Sequence, residues 1–163
     1  MEYMDKEIVI KKGTIDDVET IYNFIYQLAE YEKLTDEVTT TSEELAKTLF
    51  SENTHTHTII GYFENKPVGF ALYFYNYSTF KGKPGLYLED LFVIPEMRGK
   101  GFGKTLLIEL TNIAKDNKCA RLEWSVLDWN KPAIDFYKSL GAKPMDEWTV
   151  FRLTEDGINN LIK

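Results

Sequence analysis

The chain has 163 residues, 44% of them hydrophobic, enough for one well-packed domain and short for two. Its 19 Lys and Arg against 26 Asp and Glu leave a net charge of -7, which argues against a nucleic-acid partner needing a broad basic surface and suits a cationic one. Cys119 is the sole cysteine, which excludes an intrachain disulfide and a thiolate metal cluster. With no signal-peptide pattern and no apolar run long enough for a bilayer, a cytoplasmic protein without a membrane partner is expected.

Glu7 to Lys12 reads as a first strand. Thr14-Ile15-Asp16-Asp17 then opens a helix, Thr14 as cap and Asp17 completing the capping pattern. Val18, Ile21, Tyr22, Ile25, Leu28 and Ala29 recur at helical spacing and lay one face on the core. A second helix follows Ser42, with Glu43 and Glu44 in its first turn. Thr56 to Phe63 and Pro67 to Tyr77 read as a hairpin turned at Glu64-Asn65-Lys66. Leu86 to Ile94 is apolar on both faces, Tyr87, Leu91 and Val93 on one and Leu88, Phe92 and Ile94 on the other, as a central strand requires. A helix from Phe102 to Asn117 buries Leu106, Leu107, Leu110, Ile113 and Ala114; Ala120 to Leu127 is a strand, Lys131 to Leu140 a short helix started by Asn130 and Pro132, and Thr149 to Leu153 a last strand before a C-terminal helix. The order predicts a single α/β domain over residues 1–163, with helices on both faces of a mixed central sheet of six to seven strands.

The central strand runs into Pro95-Glu96-Met97-Arg98-Gly99-Lys100-Gly101-Phe102-Gly103-Lys104. Glycines there let backbone N–H groups converge on an anion without interference from Cβ, and the helix beginning at Phe102 adds its unpaired amides and positive dipole end. Arg98, Lys100 and Lys104 set cations around the same rim. A Walker A loop requires a glycine where Arg98 stands, and the third glycine of a Rossmann fingerprint would fall on Lys104, so both are rejected. Arg98-x-x-Gly101-x-Gly103 instead resembles the pyrophosphate signature of the GNAT superfamily of acetyltransferases.

The resemblance extends through Leu28-Ala29-Glu30-Tyr31-Glu32-Lys33-Leu34, Tyr77-Ser78-Thr79-Phe80-Lys81-Gly82, Tyr87-Leu88-Glu89-Asp90 and Val126-Leu127-Asp128-Trp129-Asn130 to the diamine acetyltransferase branch of that superfamily. It implies the GNAT acyl-CoA N-acyltransferase fold, acetyl-CoA as acetyl donor without a metal, a small amine as acceptor and a homodimer. It also implies that the backbone at Leu91, Phe92 and Val93 receives the pantetheine arm. In the segment Asn130-Lys131-Pro132-Ala133 to Phe136-Tyr137, the resemblance implies an asparagine on the cofactor and a tyrosine that protonates the leaving thiolate. By the same resemblance Tyr31, Glu32, Glu89, Glu123, Trp124 and Ser125 line the amine site, closed by one of Asp146, Glu147 or Trp148. Polyamine-acetylating members carry an acidic residue and proline where this chain has Ser78-Thr79, which points to an amine with an amino-acid-like end, as in the thialysine-acetylating members.

The chemistry sets its own requirements. An alkylamine with a pKa of about 10.4 is about one part in a thousand free base near neutrality, and restoring that form costs roughly 4 to 5 kcal/mol. A base is needed, with a donor for the thiolate and N–H groups for the oxyanion. Glu89, in a nearly apolar strand, is the expected base or amine anchor, its pKa raised by desolvation; Asp90 points to the other face of a regular strand and is expected to be structural. Tyr137 is the expected acid, against a plain core aromatic. His55 and His57 have no third ligand nearby and are expected to be polar surface residues. A protein-lysine acetyltransferase and a non-catalytic acyl-CoA sensor are the competing functions, alongside a polyamine acetyltransferase.

Overall fold

The computed structural model describes residues 7–163, in two compact units, the first closing at Ser125 and the second running Val126–Lys163. The first contains β1 (Val9–Lys12), α1 (Val18–Glu32), α2 (Ser42–Leu49), β2 (Thr56–Phe63), β3 (Lys66–Ser78), β4 (Lys83–Val93), α3 (Phe102–Asp116) and β5 (Leu122–Trp124). The strands form one sheet in the order β1-β2-β3-β4-β5, antiparallel except for the parallel pair β4 and β5. The second unit contributes α4 (Lys131–Ser139) and α5 (Glu155–Leu161).

The mixed α/β architecture is the one expected, but among the described residues the sheet has five strands and not six to seven. Thr149 to Leu153, expected as the last strand, has no regular structure. Its β-branched and aromatic residues suit a strand, yet a strand forms only where a second one completes its hydrogen bonds, and the regular elements of its own unit are two helices. β5 is likewise confined to the three residues that pair with Leu86 to Leu88.

Local chemistry accounts for the element ends. Thr14 N donates to Asp17 Oδ2 at 2.8 Å, the return half of the expected capping pattern, and a 3-10 turn at Ile15–Asp17 leads into α1. The cap of α2 is Thr41 and not Ser42, its hydroxyl accepting from Glu44 N at 3.2 Å. Between β2 and β3, Glu64 and Asn65 both take positive φ, the handedness a two-residue hairpin turn demands.

Alternation along the strands gives the sheet two covered faces. On one, Ile21 and Phe24 of α1 and Leu49 of α2 pack with Ile60, Phe70, Leu72 and Phe92, and Phe24 stacks on Phe70 with centroids 5.6 Å apart. On the other, Phe102 of α3 meets Phe63 at 5.3 Å. The centre of β4 breaks this alternation. Leu72 pairs with Asp90 but Tyr73 pairs with Leu88, so Glu89 is an extra residue with no partner opposite it, a β-bulge. The faces expected for a regular strand are therefore corrected: Tyr87, Asp90 and Phe92 share the α1 side, while Leu86, Leu88, Leu91 and Val93 share the α3 side.

Candidate active site

The glycine-rich turn has the geometry of an anion cradle. After a 3-10 turn at Pro95–Met97, Gly99 and Gly101 take φ of +77° and +83°, and a Cβ at either would meet nothing within 4 Å. Glycine is required by the backbone conformation, and the space above it is open. Gly101 is the N-cap of α3 and offers no side-chain cap. The first-turn amides from Phe102, Gly103 and Lys104 therefore look outward at the positive end of a 15-residue helix. Lys100 and Lys104 are on the rim, Lys100 exposed and Lys104 likewise. Arg98 is turned differently: its Nε donates to Val93 O at 2.9 Å.

β4 delivers the chain to this turn with one edge that no strand among the described residues pairs. Because β5 pairs only with Leu86 to Leu88, the stretch containing Leu91, Phe92 and Val93 has β3 on one side and, among the described residues, no strand on the other. An extended amide-bearing ligand can bond to such an edge as an added strand would.

The two carboxylates at the bulge have exchanged their expected environments. Glu89 is exposed, and the burial anticipated for it falls on Asp90, which lies on the α1 side with its pKa pushed up to about 6, by desolvation first and then by the charges of Glu89 and Glu32. Two adjacent acids in an otherwise apolar strand were the available signal, since no regular strand buried on both faces accommodates them. Glu32, in the last turn of α1, is itself partly buried and its pKa is raised by that burial. Tyr31 precedes it, half exposed. The helix stops there because Lys33 adopts a left-handed conformation, φ 61°, and bonds back to Ala29 and Glu30.

The same sheet face carries more of the expected amine site. Tyr87 pairs in register with Glu123, and the Tyr87 hydroxyl is 2.8 Å from Ser125 Oγ, so Glu123 and Ser125 project with Asp90. Glu123 is bridged to Arg121 at 2.8 Å, which also donates to Tyr77 O. Trp124 pairs with Leu88 and so lies on the opposite, α3 side, away from the acids it was grouped with.

Within the second unit, Asn130 caps α4, its Oδ1 accepting from Ala133 N at 3.4 Å, with Pro132 in the first turn and Lys131 bridged to Asp135 at 2.9 Å. Tyr137 is partly buried and sits beside Phe136, ring centroids 5.7 Å apart. Neither is buried in a core. The helix closes at Gly141 with φ +90°, where Ala142 N bonds to Tyr137 O at 3.1 Å. Glu147 is exposed in a turn closed by Trp148 N to Met145 O at 3.1 Å.

His57 stacks on Tyr73 at 5.3 Å, and among the described residues no group of three or more His, Cys, Asp or Glu is placed to hold a metal ion. Among them, too, no helix is long and apolar enough to cross a membrane.

Comparison with known proteins places these features in context. Residues 16–142 match the Acetyltransferase (GNAT) family. The thialysine N-epsilon-acetyltransferase of Bos taurus is 37% identical over 165 residues, covering 94% of this chain and 96% of the relative. The L-ornithine N5-acetyltransferase NATA1 of Arabidopsis thaliana is 31% identical over 199 residues, covering 94% and 87%. Among solved structures, the integron cassette protein VCH_CASS6 of V. cholerae superposes with a TM-score of 0.80 at 31% identity, covering 96% of this chain and 98% of that one.

Proposed function

This chain belongs to the GNAT acetyltransferase family, and from that premise we propose that it transfers the acetyl group of acetyl-CoA to the primary amine of a small molecule with an amino-acid-like end. The observation that carries the reading is the turn at Gly99 and Gly101, open above its backbone and joined to the uncapped start of α3 directly after a bulged strand bearing two carboxylates. The match over residues 16–142 spans both compact units, which supports reading 1–163 as one catalytic domain. The acceptor class rests on relatives whose names specify thialysine and ornithine, and on Ser78 and Thr79, which cannot supply the carboxylate that a distant polyamine ammonium would use.

Acetyl-CoA, when bound, supplies an electrophilic thioester carbon. The amides between Gly99 and Lys104 hold its diphosphate, and the open edge of Leu91 to Val93 aligns the pantetheine arm. Asn130 to Ala133 and Phe136, in the second unit, are assigned to the carrier by the family resemblance. Glu89, exposed at the bulge, anchors the acceptor ammonium together with Tyr31, Glu32, Glu123 and Ser125 of the same unit; Glu147 is assigned to the acceptor by the family resemblance alone. The proton goes to the carboxyl pair Glu89 and Asp90, of which Asp90, held at about 6, is better matched to accept it near neutrality. Tyr137 gives a proton to the departing sulfur. Attack is direct, in a ternary complex, in a cytoplasmic homodimer without nucleic-acid or membrane partners.

Release of coenzyme A thiol with thialysine, lysine, ornithine, spermidine, putrescine and a lysine peptide tests the reading. Turnover fastest with the amino-acid amines is expected. Turnover confined to the peptide, or binding of acetyl-CoA without release, would replace it with a protein modifier or a sensor.

A further inference from the structure

Arg98 stands where the sequence placed a phosphate ligand, yet, although the residue is exposed, its side chain is engaged by β4 and α1. Its Nε bonds to the carbonyl of Val93, the last residue of β4, at 2.9 Å. Its guanidinium carbon lies 4.8 Å from the centre of the Tyr31 ring and 5.3 Å from that of Phe92. These partners belong to two elements, Phe92 and Val93 to the end of β4 and Tyr31 to α1, and Arg98 joins both to the turn. Phe92 is buried in the core, Tyr31 is in the half-exposed last turn of α1 beside Glu32, and Arg98 is part of the turn itself.

We propose that Arg98 is a positioning residue that clamps Tyr31 to the end of β4, so that the wall of the amine site is set by the state of the carrier-binding turn. The amine assignment of Tyr31 rests on the proposed function; the clamp does not. Chemistry favours arginine here for a stated reason. A planar guanidinium donates in its plane while its face lies against an aromatic ring, whereas an ammonium of equal charge is a strongly hydrated point that does not combine the two. Movement of the backbone at Arg98 when an anion settles on Gly99 to Lys104 is transmitted to Tyr31 through this side chain. A turn ligand of the ordinary kind would act on carrier affinity alone.

The two roles separate in Arg98→Lys, which keeps the charge and loses the fork. The expected result is acetyl-CoA affinity within about twofold of wild type by calorimetry, and a thialysine KM raised about five- to tenfold with kcat less affected. Tyr31→Leu should raise KM by a similar factor and Tyr31→Phe much less, since the ring survives. Arg98→Lys combined with Tyr31→Leu should cost little more than either alone. A separate readout needs no acceptor: fluorine NMR of fluorotyrosine-labelled protein, the Tyr31 signal assigned by its loss in Tyr31→Phe. That signal should shift when coenzyme A is added to wild type, and in Arg98→Lys it should start displaced and respond weakly. Unaltered Tyr31 resonance in Arg98→Lys, multiplicative KM effects, or an acetyl-CoA affinity that falls in Arg98→Gln and is restored in Arg98→Lys would overturn the clamp. Absence of thiol release with every amine would instead remove the functional reading, while the resonance in free protein would still report the clamp.

Discussion

Asp90 is the carboxylate that the fold buries, and the cause is one extra residue in β4. A regular strand would alternate Glu89 and Asp90 across a sheet buried on both faces; the bulge leaves Glu89 in solvent and turns Asp90 toward Glu32. The consequence for stability has a definite sign. Because the folded pKa is raised to about 6 against about 3.9 in an unfolded chain, folding takes up a proton between those values. The benefit of the neutral form is complete below about pH 4 and is lost as pH rises through 6. Asp90→Asn should therefore stabilise the fold more near neutrality than near pH 4, by a difference on the order of 2 kcal/mol. Urea unfolding at both pH values measures it, and an equal gain at each would show that burial does not hold the proton. In catalysis the same variant should lose the acidic limb of kcat/KM near that pKa. Tyr137→Phe should lower kcat about a hundredfold with acetyl-CoA affinity little changed, because a proton donor contributes as the sulfur departs. An unchanged kcat, with chemistry rate-limiting, would remove Tyr137 from the mechanism.

At the level of elements, the glycine turn and α3 act as one device. Gly99 and Gly101 need positive φ, and so does Gly82 at the tip of the β3–β4 hairpin, where a Cβ also meets nothing within 4 Å. Alanine at Gly101 or Gly82 should thus cost a similar amount of stability, about 1 kcal/mol, while only Gly101→Ala weakens acetyl-CoA binding. Thermal melts and calorimetry on the two variants separate backbone strain from loss of the cradle; equal affinities would deny the turn its role. This turn was legible in the sequence because its glycine spacing follows directly on an apolar strand and opens an apolar-periodic helix. So were α1, α3 and the hairpin, where apolar period and turn chemistry agree. The bulge was not, since its register is fixed by pairing with Leu72 and Tyr73 some 16 residues away in sequence. Neither was the engagement of Arg98 by β4 and α1, a matter of which ring is nearest in space. The β-favouring composition of Thr149 to Leu153 misled for a related reason: propensity reports what a segment is suited to, and pairing decides what it becomes.

Across the whole molecule, an acidic chain of net charge -7 concentrates helix-end amides and cations at one turn and sets its carboxylates on the neighbouring sheet face. In the proposed function this arrangement would serve a polyanionic carrier at the turn and a cationic acceptor beside the carboxylates. Its first requirement is that the diphosphate, and not the acyl arm, anchors the donor. Calorimetric titration of acetyl-CoA against acetyl-pantetheine, which keeps the thioester and lacks the diphosphate, tests this directly. Acetyl-CoA should bind more than about tenfold tighter, a gap above about 1.4 kcal/mol, and Gly101→Ala should shrink that gap. Equal affinity for the two donors would contradict the account.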